Sequence, residues 1–551
     1  MSDRVLWTAQ EGTQFDVVVV GSGSAALAAA LTAADGGATV LILEKSDKIG
    51  GTSAMSGAGT WIPNNHKAKA AGIADSEEEV LTYLKSASPE GWDRDEAELW
   101  AEFARKAPEL LSFLEANTPL DFELLAEPDP MAEHPGGKEK GRMLSPKALS
   151  RRIVGPLGAK IRRSTLPHIF TYGEMIALDP YHSPVKAGLK MLPELIRRLI
   201  TDTRGQGSAL ITGLLKGCID KGCRLGLGIA VKSLVQDETG AVRGVTIDAG
   251  GRSVTVGARK GVVLATGGFE WNPDLFEQHF PGGAERLGSP RTNTGDGQRM
   301  AAEAGALLER MDQANVHPVL PTLYEGRVHG MPVTFQAEPT AIVVNGKGLR
   351  FVSEYDYNFG EALDRRDPVT GKPVNLPAWV IADSDFLKRA LPFHWYSRYH
   401  RNWVIKARSI RELANRINVP ADQLEQTVMR YNDFARKGVD ADFHRGESVW
   451  EKYKSKGSGG AYPNPAMAPL LKAPYIAMSI NRTVLGTKGG ARTNTRGQVL
   501  RADGSIIPGL YAAGLTMANP IGTRSIGAGT TIGPNMTWGY ICGKSLLSDN
   551  R

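Results

Sequence analysis

The earliest residues in this chain with a chemical task are two glycines, an alanine and a glutamate: Gly21, Gly23, Ala26 and Glu44. Gly21 permits a tight turn, Gly23 lets a backbone approach a pyrophosphate, and Ala26 takes the third small position of a dinucleotide fingerprint. The helix opened by Ser24 and Ala25 offers unpaired N–H groups and partial positive charge to that anion. Glu44, about twenty residues past the glycines and followed by Lys45, accepts hydrogen bonds from ribose hydroxyls. Beyond it, Gly50, Gly51, Thr52, Ser53, Ser56, Gly57 and Gly59 crowd one short segment. That is too many small residues for a packed helix, and it suits a backbone that wraps a large cofactor.

These residues need a particular frame. Phe15 to Val20 (FDVVVV) reads as a strand buried on both faces of a parallel sheet, the alanine-rich run after Gly23 as a helix, and Ala38 to Leu43 (ATVLIL) as a second strand ending on Glu44. Gly228 to Val235, ahead of Gly240, reads as a hairpin, and Gly261 to Ala265 (GVVLA) as another buried strand. At 551 residues, with 42% hydrophobic and 23% charged residues, the chain is long enough for two domains or more and should fold nearly throughout. The net charge of +6 is scattered among acids, which argues against a nucleic-acid partner. Cys218, Cys223 and Cys542 are too few and too unevenly spaced for a disulfide framework or a zinc site, and no metal site is expected. With no signal-peptide pattern at the start, the expectation is a cytoplasmic protein. Val185 to Ile200 sets Leu, Met and Ile at helical spacing against Lys186, Lys190, Arg197 and Arg198. It reads as a solvated helix packed on the body, with peripheral contact at a membrane surface as the alternative.

The loop KIGGTSAMSGAGTWIPNN resembles that of the fumarate reductase/succinate dehydrogenase flavoprotein family, and GTWIPNN, VLGTKGG and Leu166 to Ser183 resemble its 3-oxosteroid dehydrogenase branch. The resemblance covers nearly the whole chain and implies an α/β fold: a discontinuous Rossmann-type FAD-binding domain with an inserted α+β substrate domain. The expected limits are 1–283 and 477–551 for the FAD-binding domain and 284–476 for the insertion, where TAIVV (Thr340 to Val344) reads as a strand and Ser409 to Arg416 and Gln423 to Arg436 as helices. Cofactor contacts are implied at Gly21, Gly23, Ser24, Ala25, Glu44, Lys45, Gly51, Thr52, Ser53, Ser56, Gly57 and Gly59. Ala230, Val231, Ala265, Thr266, Gly267, Asp296, Gly514, Gly529, Thr531 and Ile532 complete the set. Members holding FAD covalently carry a histidine in this loop; Thr52 to Thr60 has none, so non-covalent FAD is expected.

The branch desaturates a ring beside a ketone. A polarising pocket holds the carbonyl, a tyrosinate or hydroxyl removes a proton from the neighbouring carbon, and the next carbon gives hydride to flavin N5. Several family positions differ here. The reductases' histidine places hold Leu485 and Gly486, their proton-donating arginine's place holds Asn358, and the steroid enzymes' carbonyl-binding tyrosine has become Ser525, although Gly529 survives. Near the family's two other catalytic tyrosines stand Pro130-Met131 and Val333-Thr334. Tyr172 and Tyr357 are therefore the candidates for base or hydroxyl relay, with Tyr475 and His317 behind them. Arg524 is either a charged donor to an enolate or carboxylate, or an ion pair that rigidifies its loop.

The expected reaction introduces a C=C bond α,β to the carbonyl of a hydrophobic cyclic ketone, either a 3-oxosteroid or a smaller cyclohexanone-type ring. An external quinone, carrier or oxygen takes the electrons. The alternatives are an enoate or fumarate-type reductase and a flavin-binding protein that has lost catalysis.

Overall fold

The computed structural model describes residues 5–390, 393, 402–456 and 462–548. Strand β1 (Thr13–Val20) leads into helix α1 (Ser24–Asp35), and β2 (Val40–Glu44) returns parallel to β1. Val17, Val18 and Val19 are fully buried, as an apolar run covered on both faces must be. Eleven of the twelve α1 residues are buried, and their small side chains let the helix lie close on the sheet.

Two helices, α2 (Tyr172–Leu178) and α3 (Pro184–Thr201), precede α4 (Gln206–Asp220). The chain then re-enters the sheet as β3 (Arg224–Leu227), the antiparallel hairpin β4 (Val231–Gln236) and β5 (Val242–Asp248), and β6 (Ser253–Leu264). A separate antiparallel sheet follows, built from β7 (Ala341–Asn345), β8 (Ala378–Ala382), β9 (Val404–Ala407) and β10 (Tyr475–Ile480) in the order β7-β8-β10-β9. Finally β11 (Gln498–Leu500) and β12 (Ile506–Ala512) return to the first sheet, and α5 (Ile532–Ser548) closes the described chain.

The first sheet has eight strands, with the path β11-β12-β6-β1-β2-β3 and with β5 and β4 carried antiparallel on β6. Its strands come from both ends of the chain, so the nucleotide-binding fold is discontinuous. The insertion alternates with period two. Val343, Val380 and Met478 face a core containing Phe335, Phe393 and Trp403, while Ile342, Ile381 and Ala477 face helices Ile410–Arg416 and Ala421–Lys437. A buried ion network crosses this region: Glu354 accepts from Arg350 and Arg445 at 2.9 and 2.8 Å, and Arg350 reaches Asp440 at 2.8 Å.

α3 is a largely solvated helix on the body of the protein, and few of its residues are buried. Ala187 and Arg198 are the buried contacts, while Val185, Leu189, Leu192, Ile196, Leu199 and Ile200 lie exposed. Its attachment is polar instead: Arg198 bonds both oxygens of Glu174 at 2.7 Å and the Ile169 carbonyl at 2.7 Å. None of the described helices is long and apolar enough to cross a membrane.

Candidate functional site

A cleft, partly open to solvent, runs along the carboxyl ends of β1, β2 and β6. Its lining, drawn from the ends of three neighbouring parallel strands, is where an α/β sheet binds a dinucleotide. Gly21, Gly23, Ser24, Ala25, Glu44, Lys45, Gly51, Thr52, Ser53, Ser56, Val231, Ala265, Thr266, Gly267, Asp296, Gly514, Thr531 and Ile532 all line it. Gly21 has φ +112°, and a Cβ there would stand 2.2 Å from the Ala265 carbonyl, so glycine is required at this turn. Gly23 caps α1 without a side-chain bond; the Ser24 N–H donates to Ser53 Oγ at 3.1 Å, and Ala25 behind it lines the cleft at the positive end of the helix. Glu44 is buried and accepts from the Ser22 hydroxyl at 2.6 Å and the Ser46 N–H at 2.8 Å; burial pushes its carboxyl up. Lys45 reaches Asp296 at 2.6 Å and Thr294 at 2.8 Å across the cavity. The start of α5 faces the same space through Thr531, Ile532 and Asn535. The glycine cradle at Gly21 and Gly23, with Glu44 and Lys45 beside it, fits FAD. Ala230, Gly57, Gly59 and Gly529 are not among the lining residues.

Three of those four border a second cluster. A Cβ on Gly57 would meet the Tyr172 ring at 3.1 Å, one on Gly59 would strike the Met143 methyl, and Gly529, at φ +86°, packs on the Gly59 carbonyl. Leu125, Met143 and Ala528 form a small apolar patch with Tyr172 and Tyr357 against it. Glu127 stands beside this patch with its side chain fully buried. Its Oε1 accepts from the Tyr172 hydroxyl at 3.4 Å and lies 3.7 Å from Lys454 Nζ, while Oε2 has no hydrogen-bond partner among the described residues. Burial pushes the Glu127 carboxyl above the usual range, against the pull of Lys454 and Tyr172. Burial, then the Glu127 charge, drives Tyr172 well above the ordinary phenol value, and the same two causes raise Tyr357 and Tyr453. His317 is held down to about 4, by burial first and then by Lys454.

Ser525 and Arg524 are both engaged. The Ser525 hydroxyl pairs with Thr530 at 2.6 Å and its N–H donates to Asn358 Oδ1 at 2.8 Å; Asn358 returns a bond to the Ser525 carbonyl at 3.1 Å. Arg524 makes a two-pronged ion pair with Glu361, both bonds 3.0 Å. Tyr475 is remote from this cluster, packed beside the helices of the insertion.

The sequence profile described as "FAD binding domain" matches residues 16–532. The chain belongs to this FAD-binding family. Among curated relatives, the flavoprotein is 34% identical to a 4-oxocyclohexanecarboxylate 2-dehydrogenase of Sinomonas cyclohexanicum, over 97% of this chain and 92% of that one. It is also 34% identical to a 3-oxosteroid 1-dehydrogenase of Mycobacterium tuberculosis, over 96% and 97% of the two chains. Among solved structures, the 3-ketosteroid delta1-dehydrogenase of Sterolibacterium denitrificans in complex with 1,4-androstadiene-3,17-dione matches with TM-score 0.87 and 32% identity, covering 98% of this chain and all of that one. The resemblance to the 3-oxosteroid dehydrogenase branch is thus borne out, as is the fold class.

Sequence reasoning missed Glu127, the most unusual group of the flavoprotein's second cluster. Its context (LLAEPDPM) carries no motif, and its phenol partner lies 45 residues away. An acid among apolar residues just ahead of the Pro135-Gly136-Gly137 turn was the available signal. Lys454 and Tyr453 were missed for the same reason, coming from the helix Val449–Ser455 far along the chain. Leu485, Gly486 and Asn315 also line the cavity, from the short strand pair Ala314–Val316 and Thr483–Thr487.

Proposed function

We propose that this flavoprotein dehydrogenates a hydrophobic cyclic ketone, a 3-oxosteroid or a smaller cyclohexanone-type ring, introducing a C=C bond α,β to the carbonyl. The observation that carries the reading is the buried Glu127–Tyr172 pair set against an apolar patch, beside the loop that lines the FAD cavity. The residues lining that cavity are assigned to non-covalent FAD, since Thr52 to Thr60 offers no histidine. When bound, FAD supplies the hydride acceptor at N5.

The chain's own groups do the rest. Leu125, Met143 and Ala528 exclude water and seat the ring. The Gly529 N–H, on the turn leading into α5, is assigned to polarise the ketone oxygen, which acidifies the adjacent C–H. Tyr172 takes that proton at its hydroxyl oxygen while passing its own to Glu127 Oε1. A free tyrosinate is disfavoured by burial and by the Glu127 charge, so a neutral phenol relaying to a carboxylate of raised basicity is the better arrangement. Tyr357 and Ser525 position the ring and the Gly529 loop. Arg524 positions the same loop through Glu361 and, being paired, is not assigned to substrate.

The reductase alternative requires cations for two carboxylates. Leu485 and Gly486 line the cavity where the resemblance puts the reductases' histidines, and Asn358 is tied to Ser525. Both observations favour the ketone. Electrons leave to an external quinone, carrier or oxygen. A cytoplasmic location is supported by the three buried free thiols. Anaerobic bleaching of bound flavin by a saturated ketone tests the reading. Reoxidation of reduced flavin by an enoate, with no bleaching by ketones, would replace it with the reductase.

A further inference from the structure

The exposed face of α3 is the largest feature that the reaction leaves unexplained. Val185, Leu189, Leu192, Ile196 and Leu199 recur at intervals of three and four residues, and Ile200 adjoins them, so they form one stripe along the whole helix. All six are 49% to 70% exposed. Ile176 on α2 is exposed as well. Lys186 and Lys190 are exposed along one flank of the stripe, about 100° of helical turn from its centre, in line with Arg197, which Glu194 holds at 2.6 and 2.7 Å.

This orientation is fixed. At the head of α3, His182 bonds Glu338 at 2.6 Å and Asp179 at 2.7 Å. At its end, Arg198 holds Glu174 while Asp202 bonds Arg151 at 2.8 and 3.1 Å. The polar clamps turn the apolar face outward and keep it there.

We propose that α3 docks the enzyme on an anionic phospholipid surface, with the stripe sunk to the acyl boundary and Lys186 and Lys190 at the headgroups. Two arguments select this occupant. The cationic flank complements anionic lipid, which attracts basic residues on an amphipathic helix. The stripe is also narrow for a self-interface: six apolar side chains on one helix, against roughly 20–30 residues a side in a standard interface. Resting on the proposed ketone reading, the docking acquires a purpose. α2 carries Tyr172 into the apolar patch and is tied to α3 by Glu174–Arg198, so a greasy ring dissolved in the bilayer enters beside the group that deprotonates it.

The test is sedimentation of the full-length holoenzyme with phosphatidylcholine vesicles containing about one-third phosphatidylglycerol, without substrate, so that failure of the ketone reading leaves this result independent. Wild type should pellet with these vesicles, and Leu189→Glu/Ile196→Glu should bind at least tenfold more weakly while keeping its flavin content. Lys186→Glu/Lys190→Glu should lose the preference for anionic over pure phosphatidylcholine vesicles. Absence of wild-type binding, or binding unchanged in both variants, overturns the proposal. So does a wild-type dimer by light scattering that Leu189→Glu/Ile196→Glu converts to monomer.

Discussion

Replacing Glu127 by Gln removes the proton acceptor while keeping the shape of a fully buried side chain. Oε2 makes no hydrogen bond among the described residues and Lys454 stands 3.7 Å from Oε1, so the carboxylate is only lightly neutralised and its basicity is available to Tyr172. A positioned general base is worth typically 10²–10⁴ in rate, roughly 2.7–5.5 kcal/mol of barrier. Glu127→Gln should therefore slow anaerobic flavin reduction by ketone by at least a hundredfold, with FAD content unchanged. The same burial predicts an opposite effect on stability. Because the folded-state pKa is raised, the group's contribution is most favourable below the unfolded value and is lost as pH rises through the folded value. Glu127→Gln should accordingly raise Tm at pH 8 more than at pH 4. Stopped-flow absorbance of the flavin and a thermal melt at both pH values read the two effects. A variant within threefold of wild type in flavin reduction would refute the relay.

Four further outcomes follow from the same geometry. Arg524→Met should cost less than about fivefold in kcat/KM, since a part-exposed ion pair contributes roughly 0–1 kcal/mol; a loss above tenfold with normal flavin content would place the guanidinium on substrate. Gly21→Ala should be purified without flavin or destabilised by about 2 kcal/mol or more, from positive φ and the Ala265 carbonyl, read by flavin absorbance and denaturant titration. Arg142→Met should lower stability by roughly 3–5 kcal/mol, because it strands the buried carboxylates of Asp75 and Asp129, which it bonds at 2.7 and 2.9 Å. His182, raised to about 9 by Asp179 and Glu338 despite the opposing effect of burial, contributes stability that is full below about pH 6.5 and lost as pH rises through 9. The Tm difference between wild type and His182→Gln should shrink across that window, and a difference flat in pH would exclude the imidazolium.

Much of the cofactor half was legible because backbone-level binding leaves local marks. Gly21, Gly23 and Glu44 are tied to their strands by sequence spacing; β1 and the β4–β5 hairpin fell within a few residues of their expected limits, and β6 ends within one residue of its own. The long reach of β6, which begins at Ser253, was hidden because its first half pairs with β5 and alternates exposed and buried residues. The Glu127 cluster was less legible because it is assembled across the chain. Glu127, Tyr172, Tyr357 and Lys454 come from four separate segments, and only the fold shows that an acid, two phenols and an amine share one apolar patch. The helix at 184–201 was recognised from its periodicity, yet periodicity does not say which face is turned inward. Polar anchors at Arg198 and His182 decide that here.

The central claim is ketone dehydrogenation at this FAD site, and anaerobic titration of the purified holoenzyme tests it most directly. The flavin spectrum would be followed while cyclohexanone, 4-oxocyclohexanecarboxylate and a saturated 3-oxosteroid are added in turn. Bleaching of the long-wavelength flavin band by one of these ketones, slowed at least a hundredfold in Glu127→Gln, is the predicted result. Flavin that stays oxidised with every ketone, while dithionite-reduced enzyme is reoxidised by an enoate, would contradict it.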